Sequence, residues 1–425
     1  MELTTDKDLL TLSSASAQHS IKKAYDILFI GAGFRVTTFI ASNPHLLSKK
    51  ICIVESSPTF GPGSFSNFSL NSSSNGSRFF RHVDPLGEFG WIYSNPITAE
   101  VANAKHPVPI HQLSIALTEL GEKISSRIGS HSVLLNRRVE DINVDPNLDY
   151  PIKIKLNSGK HITSKVCVLG TGRIERTYPL LRNYSDKLWL SSRFLSIKAQ
   201  QAVIEQLYQM SSKTICILGC SHSAFSVLHH LLKVVERIKE SNSLYIFPKI
   251  IILHRKPVRV CYSSLENAVE EQATYGSEED IDIARDVCPT TGIVFRDTGL
   301  RHISKELYYA VKRGSFSYVK MQIVKSLNTS HKFFNESDMI IQALGYKPRV
   351  PNIKICGKLY RSSKSGESLR SRKDGFLDLP GIDNSCHIAE IRVNSTPRSL
   401  RDHGNYAMEL YKTLGDKIFF VLTEH

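Results

Sequence analysis

The sequence has no Cys-x-x-Cys pair and no cysteine or histidine cluster at the spacing of zinc ligands. Its eight cysteines are scattered, and several fall in apolar runs typical of strands, such as Cys52, Cys167 and Cys216. Dithiol redox centres and structural zinc sites both need closely spaced ligands. The spacing therefore argues against both, and it favours free buried thiols in a reducing cytoplasm.

Long apolar runs are also missing. No stretch approaches the roughly 18 apolar residues that a membrane span needs. Residues 1–22 mix charged and hydroxyl side chains without the apolar core of a secretory signal. We therefore expect a disordered tail over 1–22, no membrane span and a cytoplasmic location.

Acidic residues are outnumbered, 40 against 54 basic ones, which gives a net charge of +14. Such a charge attracts anionic ligands, and dinucleotides qualify. The basic residues are spread along the chain without an arm or a nucleic-acid motif, so nucleic acid is not an expected partner. The expected partner is a small-molecule substrate. The positive net charge is compatible with an anionic substrate, or with one bound to coenzyme A or a carrier protein.

Residues 25–36 form an apolar segment, a glycine turn and the start of a helix. In that order, a Gly-x-Gly turn lets the backbone approach a pyrophosphate and points the N–H groups of the helix start at it. About twenty residues later an apolar strand ends in an acid, where a carboxylate can accept the hydroxyls of an adenosine ribose. Val36 takes the third fingerprint position, and an ordinary βαβ unit is the alternative interpretation. The candidate cofactor contacts here are Gly31, Ala32, Gly33, Phe34, Arg35, Glu55 and Ser56.

A second unit of the same kind begins at Thr214. An apolar strand runs into a turn with one glycine and then into an apolar helix. The next strand ends in His254-Arg255-Lys256, where the first unit has Glu55. Arginine in place of an acid favours a 2′-phosphate over free ribose hydroxyls, whereas a solvated strand end is the alternative. The candidate contacts here are Gly219, Ser221, His222, Ser223 and Arg255.

Two further strands end in small residues. One precedes Gly170, Thr171 and Gly172, and the other precedes Ala343-Leu344-Gly345. Small residues let a chain cross close to a bound dinucleotide without a side-chain clash. We therefore predict an α/β protein with two Rossmann-like dinucleotide-binding domains, the NADPH domain being inserted into the FAD domain. The predicted limits are 23–195 and 336–425 for the FAD domain, with its C-terminal helix, and 196–335 for the NADPH domain.

The order of these motifs resembles that of the NADPH-dependent single-component flavoprotein monooxygenases, which include the flavin-containing and the N-hydroxylating amine monooxygenases. The N-hydroxylating branch is more similar, because its first fingerprint also lacks the third glycine. The resemblance covers about residues 24–415. It implies FAD and NADPH as cofactors and a homo-oligomer, and it adds Val139, Asn267, His403 and Gly404 to the candidate contacts.

The resemblance also implies the chemistry. NADPH would reduce FAD, and oxygen would then form a flavin hydroperoxide that oxygenates a small molecule, in this branch at nitrogen. Such an enzyme needs no side-chain nucleophile and no metal, and the sequence offers neither a Ser-His-Asp pattern nor a ligand cluster. No catalytic residue is predicted. The first alternative is an NADPH-dependent flavoprotein reductase, and the second is a non-catalytic dinucleotide-binding protein, suggested by the relaxed glycine pattern.

Overall fold

A computed structural model describes residues 24–276, 279–289, 291–296, 298–361, 369, 371–372, 374–382, 387–391 and 406–424. The tail predicted over 1–22 lies outside the described residues, as do His403 and Gly404.

The described chain contains eighteen strands and twelve α-helices. The strands are β1 (Ala24–Ile30), β2 (Ile51–Val54), β3 (Asn71–Asn75), β4 (Pro107–Pro109), β5 (Val133–Leu134), β6 (Val139–Val144), β7 (Ile152–Leu156), β8 (His161–Leu169), β9 (Arg173–Ile174), β10 (Leu188–Leu190), β11 (Thr214–Leu218), β12 (Lys249–His254), β13 (Val319–Ile323), β14 (Met339–Gln342), β15 (Lys347–Pro348), β16 (Asn352–Ile355), β17 (Lys358–Arg361) and β18 (Ile388–Glu390). The helices are α1 (Phe34–Ser42), α2 (Ser77–Phe80), α3 (Ala99–Asn103), α4 (Ile110–Ile128), α5 (Ser191–Phe194), α6 (Gln200–Tyr208), α7 (His222–Ser241), α8 (Leu265–Tyr275), α9 (Ile283–Asp286), α10 (Ile303–Lys312), α11 (His331–Glu336) and α12 (Tyr406–Val421).

Most strands belong to two separate sheets. The first has nine strands in the order β17-β16-β6-β7-β8-β1-β2-β5, with β18 beside β8. Its centre, β8-β1-β2-β5, is parallel, whereas β6-β7-β8 form an antiparallel meander. The second sheet, β10-β14-β11-β12-β13, is parallel throughout. Parallel sheets with helical crossovers are the architecture predicted from the sequence, so the fold class is confirmed.

Alternation along β1 explains how the first sheet is covered on both faces. Ile27 and Phe29 pack into the core that contains α1, α4 and α12. Leu28 and Ile30 face the opposite core, which the meander strands complete. Successive side chains of a strand point to opposite faces, so a segment such as 27–30, which is apolar at every position, must be covered on both. The central strand β11 divides its residues between two cores in the same way.

Two connections join the sheets, and they run side by side. β9 leaves the first sheet, β15 returns to it, and the two pair in antiparallel register. The buried Gln342 at the end of β14 joins the connections again, since its Nε2 donates to Arg176 O at 2.9 Å and its Oε1 accepts from Tyr178 N at 2.8 Å. β14 lies in the second sheet, although the limit expected at 335/336 assigns it to the returning part of the first domain. The return therefore begins after Gln342 in this structure.

Candidate functional site

The glycine turn after β1 lies directly under the crossing chain that follows β8. Gly31 has φ +97°, and a Cβ there would lie 2.4 Å from Gly170 O. Two backbone bonds frame this contact: Gly31 N donates to Val54 O, and Gly170 N donates to Ile30 O, each at 2.8 Å. Only glycine fits a left-handed position with backbone this close. Gly33 then caps α1 with extended backbone, at φ −77° and ψ 177°.

Val36 at the third fingerprint position has a packing reason. Its side chain is fully buried, and a Cβ on Gly170 would lie 2.2 Å from Val36 Cγ2. In the usual fingerprint the third glycine lets the helix approach the sheet. Here the helix carries a side chain, that of Val36, and the glycine that makes room for it is Gly170, in the segment that crosses after β8. The departure that weakened the sequence motif is therefore compensated by Gly170.

Glu55 reaches back to the glycine turn, which the sequence did not reveal. Its Oε2 accepts from Ala32 N at 2.6 Å, and its Oε1 accepts from Ser57 N at 2.7 Å and from Ser56 Oγ at 3.1 Å. The residue is 9 % exposed. A carboxylate offers about four acceptor positions, so three are in use within the chain. Glu55 fixes the turn as well as presenting a carboxylate beside it.

A polar cleft of about 400 Å³ opens beside Glu55. It is bounded by polar side chains and carries two guanidinium groups. Val139 is the buried first residue of β6, next to one of these arginines. Ser56 and Arg138, which precedes Val139, thus line one cleft at the carboxyl end of β2. Parallel α/β sheets bind their ligands at this end of their strands. The lining residues are Ser56, Ser57, Asn136, Arg138, Asn157 and Arg349.

The crossing beside Gly31 contains a buried hydroxyl. Thr171 Oγ1 is buried without a hydrogen-bond partner in the described part of the chain. Gly172 follows with φ +67°, and its carbonyl accepts from Arg349 N at 3.1 Å. Buried polar groups are rarely left unsatisfied, so an orphaned hydroxyl at this crossing indicates a missing ligand or water.

Phe34 at the start of α1 anchors the aromatic loop that follows β2. Its ring stacks on Phe65 at a centroid distance of 4.6 Å and meets Phe79 edge-on at 5.6 Å. The guanidinium of Arg35 lies over the Phe34 ring, 4.7 Å from its centroid. The aromatic residues of the loop are therefore held against the helix start, next to the glycine turn.

The second turn repeats the geometry of the first. Gly219 has φ +118°, and a Cβ there would lie 2.4 Å from Ala343 O. Gly219 N donates to Leu253 O, and Ala343 N donates to Leu218 O, each at 2.8 Å. The predicted crossing at 343–345 is thus the structural counterpart of Gly170–Gly172. Gly345 itself has φ +87°.

The first turn of α7 carries the remaining candidates of this unit. Ser221 is the N-cap residue and its side chain makes no capping bond, while Ser223 is half-buried. His222 Nε2 lies 3.2 Å from Gly299 O, so it donates to that carbonyl. Burial, and then the positive charge of Arg301, lower the pKa of His222. A neutral imidazole at neutral pH follows, with Nε2 protonated.

Arg255 extends from the end of β12 into solvent. Within the described residues its side chain has no hydrogen bond and no ion pair. The preceding His254 is buried, and its Nδ1 lies 2.8 Å from Lys256 O. An arginine with an unengaged guanidinium at this position is able to bind an anionic ligand.

Asn267 has a structural role in this structure. Its N–H donates to Ser264 Oγ at 3.1 Å, and its Oδ1 accepts from Ser263 N at 3.3 Å. The first bond caps α8 at Ser264, and the second ties the Asn267 side chain to the residue before that N-cap. The cofactor role implied by the resemblance stays a prediction.

The junction of the sheets holds a buried carboxylate that sequence reasoning missed. Glu175 lies just beyond β9 and accepts from Ser191 Oγ at 3.0 Å and from Ser192 N at 2.8 Å. Burial raises the pKa of Glu175, although these hydrogen bonds oppose the rise. Burial and the charge of Glu175 also raise the pKa of Tyr346, which follows the second crossing. The one sequence signal was an acid placed directly after a glycine-rich crossing.

Among the described residues, no group of three or more His, Cys, Asp or Glu side chains is arranged to hold a metal ion. None of their helices is long and apolar enough to cross a membrane. Seven cysteines are described, and none of them forms a disulfide with another described cysteine.

No protein-family model and no curated protein matches the sequence. Solved structures do match its fold. The FAD-bound cadaverine monooxygenase of Erwinia amylovora has a TM-score of 0.59 at 14% identity, over 95% of each chain. An ornithine N-hydroxylase of Kutzneria sp. 744, with reduced FAD, NADP⁺ and L-ornithine, has 0.55 at 12%, over 94% of this chain and 99% of that one.

A reductase has the same architecture. The thioredoxin reductase of Lactococcus lactis has a TM-score of 0.50 at 12% identity, over 94% of this chain and all of that one. At such identities the likeness concerns the fold, not the substrate. The chain therefore has the two-dinucleotide-domain fold that these monooxygenases and the reductase share.

Proposed function

We propose that this protein is an FAD- and NADPH-dependent monooxygenase that oxygenates a small molecule at nitrogen. The observation that carries the proposal is the duplicated turn, since Gly31 and Gly219 have the same contacts but are followed by opposite charges, Glu55 and Arg255. The likeness to monooxygenase structures over nearly the whole chain supports oxygenation. The amine substrates named for two of them support nitrogen as the target.

We assign FAD to the first sheet. The start of α1 would face the pyrophosphate, and Glu55 would accept a ribose hydroxyl in its remaining acceptor position. The cleft at Ser56 would take the adenine end. The residues present fit the cofactor on two grounds: the backbone is closely packed at Gly31, and the buried hydroxyl of Thr171 lacks a partner among the described residues.

We assign NADPH to the second sheet, with Arg255 binding the 2′-phosphate. Arg255→Ala should weaken NADP⁺ by about 2 kcal/mol, roughly 30-fold, because it removes a charge-assisted hydrogen bond. NAD⁺ lacks the phosphate and should be little affected. Titration calorimetry with both nucleotides measures the difference. An equal loss for both would refute the 2′-phosphate assignment.

When bound, FAD would supply the hydride-accepting and oxygen-activating chemistry. The chain would bind and orient both nucleotides and keep water from the junction between the sheets. The buried side chains Glu175, Ser191 and Gln342 close that junction.

The second candidate is a flavoprotein reductase, which the thioredoxin reductase likeness favours. A dithiol mechanism is disfavoured by the nearest pair, Cys216 and Cys220. Cys216 is fully buried on β11, and burial raises its pKa to about 12. A thiolate is the reactive form, so such a cysteine is inert. A reductase of this fold would pass electrons to an external acceptor instead.

The test is a visible spectrum of the purified protein, before and after anaerobic NADPH and again after air is admitted with an amine. A yellow protein that NADPH bleaches supports both nucleotide sites. Oxygen consumption matched by hydroxylated amine, across cadaverine, ornithine and lysine, supports the monooxygenase. Fast reduction of a quinone with no hydroxylated product supports the reductase. A colourless protein that binds no added FAD rejects both.

A further inference from the structure

His254 holds the turn that presents Arg255. It is the last residue of β12 and only 3% exposed, so its ring is inside the protein while Arg255 is outside. His254 Nδ1 lies 2.8 Å from Lys256 O. A carbonyl oxygen only accepts, so Nδ1 carries the proton and donates. The imidazole thus bonds to the backbone of Lys256, the residue after Arg255, and restrains it.

The backbone of His254 is fixed as well. His254 pairs with Ile323 at the end of β13, and its carbonyl accepts from Val324 N at 2.9 Å. Arg255 therefore lies between one residue held by the sheet and another held by the imidazole. A guanidinium on a fixed backbone loses less conformational freedom when it binds an anion.

The carbonyl of Lys256 also connects this turn to the glycine turn at Gly219. Cys220 Sγ lies 3.7 Å from Lys256 O, as a thiol donor. Cys220 lies between Gly219 and Ser221, just before α7, where a dinucleotide bound at this turn would place its pyrophosphate. The distance between the pyrophosphate and 2′-phosphate of one nucleotide is limited by its ribose. A fixed distance between the two turns would therefore favour a nucleotide that carries both groups.

We propose that His254 is a positioning residue for selectivity towards the 2′-phosphate, acting through the Nδ1–Lys256 bond and not by contact with the nucleotide. This inference rests on the proposed function, and specifically on NADPH binding at Arg255. It assigns to the buried His254 the preference for NADPH over NADH.

The experiment compares three substitutions of His254 by titration calorimetry with NADP⁺ and NAD⁺ on the purified full chain. His254→Leu removes the donor and should weaken NADP⁺ about tenfold while NAD⁺ changes less than about twofold. His254→Asn places an amide N–H close to the position of Nδ1 and should restore the wild-type ratio. His254→Gln places its amide nearer the position of Nε2 and should behave like leucine. Melting temperatures and bound flavin check folding.

Arg255→Ala is the reference that separates the two proposals. Alone it should abolish the preference for NADP⁺, and His254→Leu should then add nothing, because both changes act through one guanidinium. If Arg255→Ala abolishes the preference but His254→Leu keeps it, the role of His254 is refuted and NADPH binding stands. An equal loss of both nucleotides in all three His254 variants also refutes it, since packing alone explains that result. A wild type with no preference overturns the NADPH assignment itself.

Discussion

Gly31 and Gly219 occupy equivalent positions, each next to the carbonyl of a residue more than 120 positions later in the sequence. A methyl group at either position would lie 2.4 Å from that oxygen. At the scale of single residues, the two nucleotide units therefore depend on the absence of a side chain. We propose that the charged residues Glu55 and Arg255 then give each unit its selectivity.

Gly31→Ala should lower the free energy of unfolding by about 3 kcal/mol or more, because it adds a backbone clash to an unfavourable φ. Gly159→Ala is the matched control. Gly159 has φ +78° and no heavy atom within 4 Å of the added Cβ, so only the φ penalty of about 1 kcal/mol applies. Urea denaturation of both variants measures the difference. Equal losses would show that the contact with Gly170 O is not as close as the structure has it.

We expect His230 on α7 to make the stability of the protein sensitive to acid. Burial, followed by the charges of His229, Arg237 and Lys233, lowers its pKa from 6.5 to about 4. The folded state thus binds this proton less well than the unfolded state, and stability is full above pH 6.5 and declines as the pH falls towards 4. His230→Leu should remove that decline, by up to about 1.4 kcal/mol per pH unit in this range.

The measurement is the free energy of unfolding of both proteins between pH 8 and pH 4. This range includes both pKa values of His230, 6.5 in the unfolded chain and about 4 in the folded protein. At pH 8 the imidazole is neutral in both states, so the difference there reports packing alone. Parallel curves for wild type and variant down to pH 4 would contradict the role of His230.

At the scale of elements, the two connections between the sheets behave as one unit. β9 pairs with β15, and the side chain of Gln342 forms hydrogen bonds with the backbone of Arg176 and Tyr178. Glu175 adds a further tie to the start of α5 through Ser191 and Ser192. These buried polar groups thus contribute to the relative position of the two sheets.

Gln342→Met should cost about 1–2 kcal/mol of unfolding free energy, because it removes two part-buried hydrogen bonds, from Tyr178 N and to Arg176 O. Gln201→Met serves as the control, since Gln201 is exposed on α6 and bonds only to Glu205 at 2.9 Å among the described residues. Its cost should stay below about 0.5 kcal/mol. Chemical denaturation followed by tryptophan fluorescence measures both. Similar costs would show that the connection does not depend on Gln342.

At the scale of the whole molecule, the net charge of +14 matters for ligand capture. NADPH carries more negative charge than NADH. Electrostatic steering should therefore make its association faster and more dependent on salt. Raising the salt from about 0.01 M to about 0.3 M should slow the second-order reduction of bound flavin by NADPH about tenfold. The slowing with NADH should be smaller.

Anaerobic stopped-flow at low nucleotide concentration measures these rates, with an uncharged viscogen as the control for diffusion. Equal salt effects for the two nucleotides would mean that the charge of the protein does not steer the 2′-phosphate.

Both Rossmann-like units can be predicted from the sequence alone, because each consists of consecutive residues: an apolar strand, a small-residue turn and an apolar helix. Strand-end residues such as Glu55 and Arg255 are likewise identified by their spacing. Only the tertiary structure explained Val36, whose partner Gly170 is far along the chain. It also decided that β14 lies in the second sheet, that Glu55 bonds to the first turn and that Glu175 closes the junction. These features depend on contacts between distant segments, and local pattern carries no information about such contacts.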